Sequence, residues 1–176
     1  DGGLMVQGVA PREPEEYFSL YANYAKTGNR FNFDRLEDSV SMIAVLPLLP
    51  GMAQYYYELM EEMATENPFM ISTVILPFKD SGNREMNQYN LDVFNHGKSI
   101  VLETFESNSM GSHPIVGYVE SARRNQKTRD PLYNDRAIIF VVSADGKYVE
   151  RRVCPTKQKL KGVIRHYLEH QLTNEA

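Results

Sequence analysis

Three continuous apolar runs of strand length organise the chain: Val40–Leu46, Met70–Leu76 and Ala137–Val142. A run without polar alternation is what a strand buried on both faces requires, so these runs predict the middle of a sheet. Between the first two runs the period changes. Tyr55, Leu59 and Met63, joined by Tyr56 and Met60, recur at helical spacing, and Asn67-Pro68 ends that helix. Pro77 is expected to end the second strand. This strand–helix–strand unit predicts a right-handed crossover and two parallel strands. After the third run, Ala144-Asp145-Gly146-Lys147 predicts a hairpin turn, and Tyr148–Val153 a more polar, antiparallel edge strand. Leu160, Val163, Ile164, Tyr167, Leu168, Gln171 and Leu172 trace one face of a closing helix with Thr156 as its N-cap.

The remaining segments carry weaker signals. Residues 1–16 are polar and proline-bearing and read as an extended arm, which leaves 17–176 as a single domain. Tyr17–Ala25 suits a helix by composition, but Thr27-Gly28-Asn29 followed by Arg30–Phe33 favours a β-hairpin. Glu85–Phe94 is a weak helix and Ser99–Phe105 a short strand. Ser112 is placed to cap a helix that opens with Pro114, and 126–135 reads as an exposed loop. The pattern as a whole predicts an α/β domain with a mixed sheet and helices on both faces.

Composition narrows the function classes. The 176 residues carry 19 Lys and Arg against 23 Asp and Glu, a formal net charge of −4. That balance gives no basic coat, so nucleic acid is not an expected partner. One cysteine, Cys154, allows neither an internal disulfide nor a cysteine-built zinc cage, and no cofactor or metal is expected. The longest apolar stretch falls far short of the ~20 residues that span a bilayer, so no transmembrane segment is expected, and peripheral membrane association stays open. No secretory signal pattern is visible. The start at Asp1, without Met, gives the expectation of a processed chain or a fragment.

Several stretches, in order, resemble the glutathione peroxidase family of the thioredoxin fold. Phe18–Leu36 is similar to that family's N-terminal hairpin. Val40–Leu46 with Gly51 is similar to the strand and turn that carry the peroxidatic residue. Leu76-Pro77 with Gly82 and Glu85 resembles the second-strand exit, His113-Pro114 a later helix start, and Phe140–Lys147 with Arg152 and Pro155-Thr156 the terminal hairpin. The resemblance implies a thioredoxin-like, glutathione peroxidase-like central mixed sheet flanked by helices, with an N-terminal β-hairpin. It also exposes departures. The family's cysteine or selenocysteine falls on Pro50, which has no nucleophilic side chain. The active-site glutamine falls on Asp80, and the Trp-Asn pair near Asp135-Arg136, or at Tyr133-Asn134 with a short gap. Phe78 stands where a resolving cysteine often sits.

Among the candidates for chemistry, Cys154 lies beside Arg151-Arg152 and Lys157 near a helix start, surroundings that favour a thiolate, although a structural role is the plainer reading. His166 and His170, at i and i+4, have metal-compatible spacing but are read as solvated or packing residues, and His113 as capping or packing at its helix start. Candidate interaction residues are Leu46, Leu48 and Leu49 in the aliphatic run, Tyr55, Tyr56 and Tyr57, and the basic loop at Arg123 and Arg124. Three consecutive tyrosines cannot share one helix face, so at least one must point out or meet a partner. The aliphatic run is expected to be covered by the arm or by another protein. The resulting expectation is a non-catalytic domain serving as a structural or accessory subunit of a larger organellar assembly. The mitochondrion comes first, the plastid second, and the cytoplasm stays open. Its partners would be other protein subunits. The alternative is a thiol-dependent redox protein or peroxidase with chemistry rearranged around Cys154. A small-molecule pocket at the old cleft is a third reading.

Overall fold

The structure, a computed structural model, describes residues 14–79, 94, 97–107, 112–122 and 135–175. The elements in order are α1 (Pro14–Phe18), β1 (Tyr21–Asn23), β2 (Arg30–Asn32), a 3-10 turn at Phe33–Leu36, β3 (Val40–Pro47), α2 (Met52–Glu66), β4 (Ile71–Lys79), β5 (Ile100–Val101), β6 (Phe105–Glu106), α3 (Pro114–Ala122), β7 (Ile138–Val142), β8 (Val149–Val153) and α4 (Lys157–Glu175).

The apolar runs take the central places. The sheet order is β5-β4-β3-β7-β8, with β6 beside β4. β3 and β4 are parallel, joined through α2 as the crossover predicts, while β7 runs antiparallel to β3. Every residue of β3 and β7 is buried. The sides of β3 alternate: Val40, Met42, Ala44 and Leu46 face α2 and α4, whereas Ile43 and Val45 face α3 and the N-terminal hairpin. Gly146, at φ 76, closes the turn into β8, where its N–H donates to Ser143 O. β8 pairs only with β7 among the named strands.

Four expectations need correction. Pro77 does not end its strand: β4 continues to Lys79, with Leu46 opposite Pro77. Leu48 N–H donates to Phe78 O on the β3 side, and Leu102 N–H to Ile75 O on the other. Alternation therefore turns the proline nitrogen towards the gap between the β5 and β6 pairings, where no ladder donor is required. The strand expected over Ser99–Phe105 is two short pieces, β5 and β6, and Leu102 between them bonds β4 on one side and bridges Tyr24 of the hairpin on the other. The cap of α3 is His113 rather than Ser112: Ile115 N–H donates to His113 Nδ1 at 3.2 Å. The extended arm stops short of residue 16, because Pro14 opens the short helix α1 and Tyr17 is fully buried against Phe18, Phe33 and Tyr118. Residues 1–13 lie outside the described residues, as does the helix expected over Glu85–Phe94, except for Phe94, which is helical and buried.

Candidate functional site

The corner to inspect is the exit of β3, where the resembled family carries its nucleophile. Leu46 is fully buried in the strand. Leu48 N–H is bonded to Phe78 O at 2.9 Å, which pulls the next turn of chain inward and leaves Leu48 only 2% exposed. Leu49 is 36% exposed, and Pro50 and Gly51 lie at the surface. Gly51 adopts φ 82, a conformation that side chains disfavour, and it starts α2 without a side-chain cap. The chain re-enters the helix through Ala53 N–H donating to Leu49 O and Tyr55 N–H to Gly51 O.

The three tyrosines then diverge, as 100° per residue demands. Tyr55 points out and is 50% exposed, with its ring edge-to-face on Tyr56 at 4.9 Å. Tyr56 is buried, and its hydroxyl donates to Pro155 O at 2.9 Å. Burial pushes that hydroxyl well above the ordinary tyrosine range, and the neighbouring Cys154 thiol acts in the same direction. Tyr57 is buried and stacks on Phe94 at 5.0 Å. Its hydroxyl is raised by burial and then by the Glu61 carboxylate. Glu61 accepts the N–H groups of Lys98 and Ser99, both at 2.7 Å. Gly97 fits beneath this pair only because it has no side chain: a Cβ there would lie 2.0 Å from Tyr57 Oη.

Cys154 is exposed, in a left-handed conformation at φ 44 between β8 and α4. Its N–H donates to Ala137 O, which prolongs the β7–β8 ladder by one step. Thr156 caps α4 as expected, accepting Lys159 N–H at 3.2 Å. Tyr55, Tyr56, Pro155 and Cys154 thus meet where α2 and α4 begin, with Leu49 and Pro50 on the adjoining turn.

Asp135 lies in an exposed bend before β7. Asp80, Tyr133, Asn134, Arg123 and Arg124 lie outside the described residues. The expectation that the whole aliphatic run needs an external cover is corrected, because Leu46 and Leu48 are already buried by their own sheet; only Leu49 and Pro50 remain at the surface. His166 and His170 are exposed on α4, with rings stacked at 6.3 Å. Among the described residues no group of three or more His, Cys, Asp or Glu side chains is placed to hold a metal ion. No helix among them is long and apolar enough to cross a membrane.

Sequence reasoning missed three contacts. Arg151 and Arg152 do not act together: Arg151 is buried and paired with Glu120 of α3 at 2.7 Å, whereas Arg152 turns to the α4 side and pairs with Glu150. Strand alternation would have separated them. Lys157 and Lys161 of α4 reach Glu62 and Glu66 of α2. The Glu61–Gly97 contact left no local signal.

No family model matches the chain, and no curated protein matches it. Solved structures do. The glutathione peroxidase Trgpx in its apo form is 14% identical, with a TM-score of 0.66, over 87% of this chain and 95% of that one. GPX1 of T. cruzi is 13% identical, with a TM-score of 0.60, over 90% and 97%. A bacterioferritin comigratory protein of Xanthomonas campestris with alkyl peroxide reduction activity is 10% identical, with a TM-score of 0.56, over 92% and 98%. Peroxidases therefore share this architecture, and at these identities the common property is the backbone. The mixed sheet, the β3–α2–β4 crossover, the N-terminal hairpin and the neighbours together make this a thioredoxin-like fold in the form that glutathione peroxidases adopt.

Proposed function

We propose that this chain is a non-catalytic, glutathione peroxidase-like domain that works by contact, as a structural or accessory subunit of a larger protein assembly. The observation that carries the reading is Pro50. It sits at the exit of β3, at the start of α2, and offers no atom that can attack a peroxide. The residues around it favour contact instead: Leu49 and Tyr55 expose apolar and aromatic surface beside it, and tyrosine is enriched at protein interfaces. An organellar compartment, mitochondrial first and plastid second, is the sequence expectation that accompanies this reading, and subcellular fractionation tests it.

The test has two arms. The purified chain should show no peroxide turnover with glutathione or with thioredoxin as electron donor. In the native source it should migrate in a complex well above its own mass, and Leu49→Asp with Tyr55→Glu should release it without lowering its melting temperature. Turnover that survives Cys154→Ser, or a native protein that runs as a monomer, overturns the reading.

A second reading has one observation in its favour. Cys154 is exposed beside the buried Tyr56 hydroxyl, near the start of α4. A thiol-dependent protein centred on Cys154 would lose peroxide or disulfide chemistry completely in Cys154→Ser.

A further inference from the structure

Phe69 is the most exposed large apolar side chain among the described residues, at 92%. It rides on a fixed turn. Pro68 restricts the backbone at the second place of the 67–70 turn, and Asn67 O accepts the N–H groups of Met70 and Ile71 at 3.3 and 3.2 Å. The backbone and side-chain N–H groups of Asn67 both return to Met63 O in the last turn of α2. Turns are dominated by glycine, proline, asparagine, aspartate and serine. The local geometry therefore does not ask for a phenyl ring at the third place, and packing within the chain does not use it.

Beside the turn lies a groove of about 380 Å³ between α2 and α4. The two helices start at one corner and run the same way, as the contacts of Tyr56 with Pro155 and of Glu62 with Lys157 show. They differ in length. Glu66, the last residue of α2, lies 3.3 Å from Lys161, the fifth residue of α4. Beyond that level α4 continues to Glu175 while α2 has ended. Met63, Ile164 and the partly buried Leu168 give the groove an apolar floor, and Asn67 forms part of its wall. Two residues of chain reach at most about 7 Å, so the Phe69 ring and the groove belong to one patch. The rim carries Glu66, Lys161, Arg165 and Glu169, two acids and two bases, and so has no net charge.

We propose that this patch pairs with a second copy of the chain about a two-fold axis, each Phe69 ring entering the α2–α4 groove of the other copy. A two-fold contact requires a surface that is its own complement. A projecting ring beside an apolar groove meets that requirement in shape, and a rim of balanced sign meets it in charge. A strongly acidic or basic partner would find no complement in such a rim. Pro68 and the two bonds to Asn67 O already hold the ring's backbone, so little freedom is lost on docking. The patch lies at the far end of α2, about 22 Å along the helix from the Pro50 corner. The pairing therefore goes beyond the reading of that corner and does not use its surface.

The test is sedimentation equilibrium of the full chain between about 1 and 200 μM, where monomer and dimer should exchange with a dissociation constant on the order of 10 μM, as a small interface gives. Phe69→Ser, at an exposed site, should leave the melting temperature of the monomer unchanged and weaken pairing about tenfold or more. Arg165→Glu unbalances the rim and should weaken pairing several-fold, and the further change Glu169→Arg should restore it. The chain has no tryptophan, so Phe69→Trp reports on this side chain alone. Its emission should shift to the blue as the concentration rises through the midpoint. A chain that stays monomeric across the range overturns the proposal. So does pairing that Phe69→Ser leaves intact, or Phe69→Trp emission that does not move. Species that grow past the dimer would mean a head-to-tail contact and overturn the two-fold arrangement. Peroxide turnover would overturn the contact-based reading of the Pro50 corner without changing this equilibrium, so the two failures are distinguishable.

Discussion

α2 and α4 begin at the same corner, joined by the bond from Tyr56 to Pro155, yet they begin differently. α4 is sealed: Thr156 Oγ1 accepts the Lys159 N–H, and Thr156 O accepts that of Leu160. α2 starts at Gly51, which has no side chain to cap with, behind the exposed Pro50. One start is built for helix stability. The other is uncapped and leaves Leu49, Pro50 and Tyr55 at the surface. The difference teaches that the fold is secured one layer below the corner, by Leu48, Tyr57, Glu61 and Gly97, so the surface residues are free to differ without loss of the scaffold.

The sharpest way to break this comparison is to set Leu48 against its neighbour. Leu48→Asp buries an unpaired carboxylate and should cost on the order of 4 kcal/mol. Leu49→Asp, at the surface, should cost under about 0.5 kcal/mol. Urea melts of the two variants check this, and equal losses would show that the layers are not distinct. Gly97→Ala comes next. Its Cβ meets Tyr57 Oη, which the Phe94 stack holds in place, so a loss of about 3 kcal/mol is expected. At 2–4 °C per kcal/mol, that is a fall of roughly 10 °C in melting temperature. Thr156→Ala should remove about 1 kcal/mol through the lost cap of α4, whereas Pro50→Ala, with no cap to lose, should sit near zero.

The smallest effect expected is one of pH, at the start of α3. Burial lowers the His113 pKa below its ordinary 6.5. Its Nδ1 accepts the Ile115 N–H, which only the neutral ring can do, and a charged ring would also oppose the positive helix end. A depressed folded-state value means that the unfolded chain binds the proton more readily. Stability is then fully present above pH 6.5 and falls as the pH drops below it. Urea melts at pH 8 and pH 5 should show that loss, and His113→Asn, which keeps a capping acceptor, should reduce it. An undiminished loss in the variant would place the titrating group elsewhere.

The sequence made these regions legible to different degrees. β3 and β7 are covered on both faces, so their apolar runs are continuous and unambiguous. α2 shows its amphipathic period because one side meets the sheet. The corner was harder to read. Leu48 and Leu49 are chemically identical in the string, and only the bond from Leu48 N–H to Phe78 O decides which of them is buried. Pro77 looks like a stop, and only the gap between β5 and β6 makes it harmless. The expectation that Tyr55–Tyr57 must divide was sound because helix geometry alone fixes it. Glu61 and Gly97 are 36 residues apart with no periodic relation, so no local pattern could reveal that they meet.

Leu160, Val163, Ile164 and Tyr167 of α4 complete the same core as Met42, Ala44 and Leu46 of β3. α4 is made after all the strands it covers. During synthesis at 5–20 residues per second, the 109 residues between Pro47 and Lys157 take on the order of ten seconds to appear. Throughout that interval α2 is the only one of the two covering helices present, and the part of the face that α4 takes stays open. A nascent form of this protein is thus a natural client for a chaperone, and a premature stop anywhere before Lys157 would yield a sticky, incompletely roofed sheet rather than a smaller version of the domain.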